Sequence, residues 1–135
     1  MKKIISFSLW GNSPKYTFGA IKNAELCQKI YPGWIARFYC GKSVTQDVKY
    51  NLNKFECVEL IDMNEEGDWN GMFWRFYPAS EDDVSIMLSR DCDSRLNKRE
   101  KVAVDEWIKS DKSFLSLHDH PYHTTPIMGG MWGVK

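Results

Sequence analysis

Short apolar runs alternate along the chain with longer amphipathic stretches, and that alternation predicts the fold. Lys3 to Trp10 is mostly apolar and reads as a central strand. Gly11-Asn12-Ser13-Pro14 is a turn that also opens a helix, with Ser13 as N-cap and Pro14 in its first turn. The helix is predicted from about Lys15 to Tyr31, with Ala20, Ile21, Ala24, Cys27, Ile30 and Tyr31 as its inward stripe. Pro32-Gly33 ends it. Trp34 to Cys40 and Cys57 to Met63 read as two more strands, separated by a weak polar helix over Thr45 to Lys54. Strand-helix-strand-helix-strand order predicts parallel strands joined by right-handed crossovers.

The second half is less regular. Asn64 to Asn70 is polar and acidic and is expected to be a mobile loop. Gly71 to Pro78 is dense in aromatic residues around a single arginine, which predicts a short helix packed on the sheet and ending before Pro78. The acidic turn Glu81-Asp82-Asp83 introduces Val84 to Ser89, short and apolar enough for a buried strand. A helix is predicted from Arg99 to Ser110 and a short strand from Phe114 to Leu117. There is no internal repeat, low-complexity tract or linker, so residues 1–135 are expected to form a single α/β domain.

Composition narrows the function classes. The 135 residues carry 18 basic and 18 acidic side chains, and this balance argues against a duplex nucleic-acid binder while leaving room for a small phosphorylated ligand. No apolar run approaches the roughly 20 residues of a membrane helix. Met1-Lys2-Lys3-Ile4-Ile5 lacks a small-residue cleavage site downstream. Cys27, Cys40, Cys57 and Cys92 contain no Cys-x-x-Cys pair, which disfavours structural zinc; Cys27, Cys40 and Cys57 fall in predicted helix or strand and read as small buried hydrophobes, in a reduced, cytoplasmic setting.

Four segments carry candidate chemistry. Arg90-Asp91-Cys92-Asp93-Ser94-Arg95 places two carboxylates one residue apart where a buried strand leaves the core. Ligands of open α/β sheets sit at such strand ends. Hard oxygen donors flanked by arginines can hold a divalent cation and a phosphate together. Leu9, Trp10, Gly11, Asn12 and Tyr16 surround the exit of the first strand, where an aromatic ring could stack on a base. Arg75 is the one charge in its aromatic run and suits phosphate oxygens. His118, His120 and His123 cluster around Asp119, a grouping common at metal and proton-transfer sites. Gly129, Gly130, Met131 and Trp132 set bare backbone beside a flat ring, a surface suited to a sugar.

In this order, the first strand and its loop, Phe73-Trp74-Arg75-Phe76, Ser89 to Arg95 after an apolar strand, and Ile127 to Gly133 resemble a nucleotide-sugar glycosyltransferase of the GT-A fold. The resemblance implies a mainly parallel sheet flanked by helices and a sugar transfer from a nucleoside diphosphate donor. A UDP-sugar is the first expectation and a GDP-sugar the second. It implies that Asp91 and Asp93 hold Mn2+ or Mg2+, with His120 or His123 as a further ligand, and that Arg75 and Arg90 point at the donor. Gly129 to Trp132 would line the sugar or acceptor pocket, while Asp119 and Glu106 are the nearest candidates for a general base. Members of the family are usually longer, so the acceptor is unassigned, and a second copy or a partner is expected to supply that part of the site. A second reading is a binding module that keeps only the donor half of such an enzyme.

Overall fold

The computed structural model describes residues 1–118 and 120–135. The strands β1 (Lys2–Leu9), β2 (Ile35–Cys40), β3 (Val58–Asp62), β4 (Val84–Arg90), β5 (Phe114–Ser116) and β6 (Met131–Val134) form one sheet in the order β3-β2-β1-β4-β6-β5. The four consecutive strands from β3 to β4 are parallel, and β6 runs antiparallel to both of its neighbours. The helices α1 (Pro14–Ile30), α2 (Gln46–Asn53) and α3 (Lys98–Lys109) agree with the sequence pattern to within a few residues. No helix among the described residues is long and apolar enough to cross a membrane.

The period of two along each strand divides the sheet into unlike faces. Ile5, Phe7 and Leu9 of β1 share one face with Ala36, Phe38 and Cys40 of β2 and with Ile86 and Leu88 of β4, all buried. They pack under Ala20, Ala24 and Cys27 of α1, Leu52 of α2, and Val104 and Trp107 of α3. The rings of Phe7 and Phe38 stack at 4.7 Å. The opposite face carries Ser6, Ser8, Arg37, Tyr39 and Ser89. It is covered by a 3₁₀ stretch, Trp69–Ser80. There the Arg75 N–H donates to Ser8 Oγ at 3.1 Å, Tyr77 meets Tyr39 edge-on, and buried Arg37 reaches Glu59 and Glu81.

Three expectations are revised. The aromatic stretch forms 3₁₀ turns and continues through Pro78, which cannot donate to an α-helical ladder. The segment from Asn64 to Asn70 is tied to the body: Lys42 N–H donates to Glu65 O, Ser43 Oγ–H to a Glu66 carboxylate oxygen, and Asp68 caps the 3₁₀ stretch at Asn70 N–H. The glycine-rich tail continues into β6, which slots between β4 and β5. Its short Met-Trp-Gly-Val run offered too little alternation to be read as a strand.

Sheet order also places the site. The chain moves outward from β1 to β2 and β3, then returns to lay β4 on the other side of β1. The carboxyl ends of β1 and β4 therefore open side by side at a topological switch point, where open α/β sheets form a crevice.

Candidate functional site at the β1 and β4 exits

The loop after β4 is fixed from beneath by α1. Buried Asn23 donates to Ser94 O at 2.7 Å and accepts from Leu96 N–H at 3.0 Å. One turn earlier, Gly19 lets the helix approach until Cys92 O occupies the space a Cβ would need. Gly19 and Asn23 are four apart, so they present one helical edge to the loop. A glycine and an asparagine on an otherwise apolar stripe were the available sequence signal for this clamp, and pattern reading passed over them.

Strand alternation then sorts the motif. Arg90 follows Ile86 and Leu88 onto the helical side, where its guanidinium pairs with Glu100 of α3, both side chains 3% exposed. Tyr31 O–H also donates to Glu100 at 3.1 Å. Burial and the adjacent carboxylate push the Tyr31 hydroxyl well above its ordinary range. Cys92 falls on the same side within the apolar core, and burial drives its thiol upward. Asp91 turns the other way, towards the 3₁₀ stretch, and its carboxylate pairs with buried Arg75. The backbone of Gly130 lies flat against the same carboxylate, so that any Cβ there would overlap it. Ser89 Oγ–H holds the neighbouring Gly129 O at 2.7 Å. Asp93 faces Lys15, in the first turn of α1, at 3.6 Å.

Two clefts meet at these carboxylates. One, of about 540 Å³, is lined by Leu9, Trp10, Gly11, Asn12, Tyr16 and Arg75 together with Asp91, Cys92 and Asp93. The other, of about 620 Å³, runs past Asp91, Asp93 and Arg75 to His120, His123, Gly129 and Gly130. Met72 of the 3₁₀ stretch borders both.

Most of the residues singled out in the sequence thus converge, although several hold other roles than expected. Leu9 and Cys92 border the first cleft but belong to the buried core. Trp10 is packed against Gly67 and meets Trp74 edge-on at 6.1 Å, which covers part of its ring; Tyr16 is the more open aromatic surface. Arg90 is held by Glu100 and donates to Ser94 Oγ and Arg95 O, so it borders the second cleft with its guanidinium already engaged. Met131 pairs with Arg90 across the β4–β6 ladder and borders the second cleft. Trp132 leans on Phe76 at 5.4 Å and lines neither cleft, because the glycines lead into a strand rather than a sugar-binding loop. Glu106 is exposed on α3 and borders neither cleft. Asp119 lies outside the described residues. Lys15 and Met72 were missed. Lys15 had a signal: a cation in the first turn of a helix opposes the helix dipole unless an anion stands nearby.

The donor chemistry suits a hard divalent cation. Asp91 and Asp93 are carboxylates that open into both clefts, and their partners Arg75 and Lys15 are monovalent side chains. His120 and His123 border the second cleft with both aspartates; His120 Nδ1 accepts from Tyr122 N–H, and among the described residues no three His, Cys, Asp or Glu side chains converge on one ion position.

No known protein family matches the sequence, and no curated protein shows detectable similarity to it. The fold does have a counterpart among solved structures. The mannosyltransferase PcManGT from Pyrobaculum calidifontis, in complex with GDP-Man and Mn2+, superposes with a TM-score of 0.69 at 12% identity, over 99% of this chain. The match spans 44% of that longer chain. The protein has a glycosyltransferase-like α/β fold: a six-stranded, mostly parallel sheet flanked by helices.

Proposed function

We propose that this domain binds a nucleoside diphosphate sugar through a divalent cation and transfers the sugar, as a small GT-A-like glycosyltransferase. The observation that carries the reading is the placement of Asp91 and Asp93 at the switch point, both bordering both clefts, with Arg75 beside Asp91. Asp91 and Asp93 would hold Mn2+ or Mg2+, which when bound supplies positive charge to the leaving diphosphate. Arg75 and Lys15 would add charge from the protein itself. Tyr16, exposed at the mouth of the first cleft, would stack on the base. The mannosyltransferase with GDP-Man and Mn2+ supports testing a GDP-sugar beside a UDP-sugar.

Donor turnover tests the proposal. Purified protein incubated with GDP-mannose or UDP-glucose and Mn2+ should release GDP or UDP, by slow hydrolysis where no acceptor is present. Release should stop on chelation and in Asp91→Asn. Tight Mn2+-dependent nucleotide binding with no release over a day would instead favour a binding module. Glu106, exposed away from both clefts, leaves that second reading open to support.

A further inference from the structure

Asp91 is hemmed in on two sides. Arg75 holds one carboxylate oxygen, and the backbone of Gly130 presses on the other. The glycine side is the fixed one. Gly130 is buried at the start of β6, and its neighbour Gly129 is anchored through Ser89. A cation approaching Asp91 therefore competes with Arg75. Two positive groups cannot share one carboxylate at contact without strong mutual repulsion. Arg75 itself has little freedom to retreat into water, because it is buried and its peptide N–H is bonded to Ser8 of β1. Its Nε has no hydrogen-bond partner, and its side chain borders both clefts. A guanidinium displaced from Asp91 needs a new anion within reach, and a pyrophosphate in either cleft would be one.

We infer that Arg75 is a resident counter-cation that makes metal and diphosphate binding mutually dependent: it occupies Asp91 in the free protein and passes to the phosphate when a divalent ion takes the carboxylate. The inference rests on the proposed function and adds to it an energetic coupling built into one side chain. The divalent ion alone must displace Arg75 with no new partner for it, so it binds weakly. With nucleotide present Arg75 is re-paired, and the affinity rises. By linkage the nucleotide gains by the same factor from the metal.

Calorimetric titration of Mn2+ into wild type and Arg75→Gln, first alone and then with saturating GDP or UDP, separates the possibilities. Arg75→Gln should bind Mn2+ alone about tenfold more tightly than wild type, and nucleotide should improve that affinity by a smaller factor than it does in wild type. Arg75→Lys keeps a cation of similar reach, so it should resemble wild type for Mn2+ alone even if the glutamine variant folds poorly. An Arg75→Gln protein that binds Mn2+ no better than wild type, or an Arg75→Lys protein that binds it as tightly as predicted for the glutamine variant, overturns the inference alone. A wild-type protein with no Mn2+-dependent nucleotide binding overturns both the inference and the proposed function.

Discussion

Two buried arginines lie close to the same motif and do different work. Arg90 and Arg75 are each almost fully enclosed, each pairs with a carboxylate, and each leaves its Nε without a partner. The difference lies in the partner. The Arg90 and Glu100 side chains are each only 3% exposed, although each residue touches the edge of a cleft, whereas the Asp91 side chain is 44% exposed and borders two. An ion pair with both ends buried is locked, because separating it strands a charge in the core. An ion pair with one end at a cleft can exchange partners. Arg90–Glu100 therefore reads as a structural link between β4 and α3, and Arg75–Asp91 as the working pair.

The largest expected effect tests the locked pair. Arg90→Met leaves Glu100 buried without its cation and should cost about 3–5 kcal/mol in urea denaturation. The double variant Arg90→Met with Glu100→Leu should recover much of that loss. A single variant as stable as wild type would erase the contrast between the two arginines. The working pair should respond oppositely. Asp91→Asn should cost less stability than Arg90→Met, because its carboxylate is half in water, even though buried Arg75 loses its anion. It should weaken Mn2+-dependent nucleotide binding about 100-fold, read by calorimetry. Gly130→Ala tests the wall behind Asp91. Its new methyl must push the carboxylate aside, so metal affinity should fall about tenfold with the fold intact, as circular dichroism would report. An unchanged affinity would mean that Asp91 is not held where its chemistry is needed.

The smallest effect sharpens the sorting by strand alternation. Cys92 stands between the two aspartates, yet it faces the core, and burial holds its thiol well above the ordinary range. Cys57 is only partly buried, and the neighbouring Cys27 thiol holds it below the ordinary thiol range. Iodoacetamide labelling followed by mass spectrometry should therefore find Cys57 modified first, with its rate rising with pH because the thiolate is the nucleophile. Cys92 should stay unmodified in the native protein. Early labelling of Cys92 would place its side chain in the cleft and undo the assignment of faces.

How much of this was legible beforehand follows from which signals are local. The parallel core was, because Lys3 to Trp10, Trp34 to Cys40, Cys57 to Met63 and Val84 to Ser89 are apolar runs separated by capped, amphipathic helices. The Asp-x-Asp position was legible for the same reason, since it follows the last of those runs. Alternation along β4 could have gone further: counting on from Ile86 and Leu88 sends Arg90 to the helices and Asp91 to the far side. What could not be read locally depends on pairing over long range. Glu100 meets Arg90 because α3 crosses β4, and Gly130 meets Asp91 because β6 inserts beside β4. Neither contact leaves a mark in nearby sequence. Trp132 misled for that reason: its ring looked available until β6 placed it on Phe76.

Titration of GDP and of UDP into the protein, with Mn2+ and with a chelator, addresses the central claim most directly. The account predicts binding of at least one nucleotide that requires the ion and is lost in Asp91→Asn. Binding that is equal with and without the ion, or survives unchanged in that variant, would contradict it.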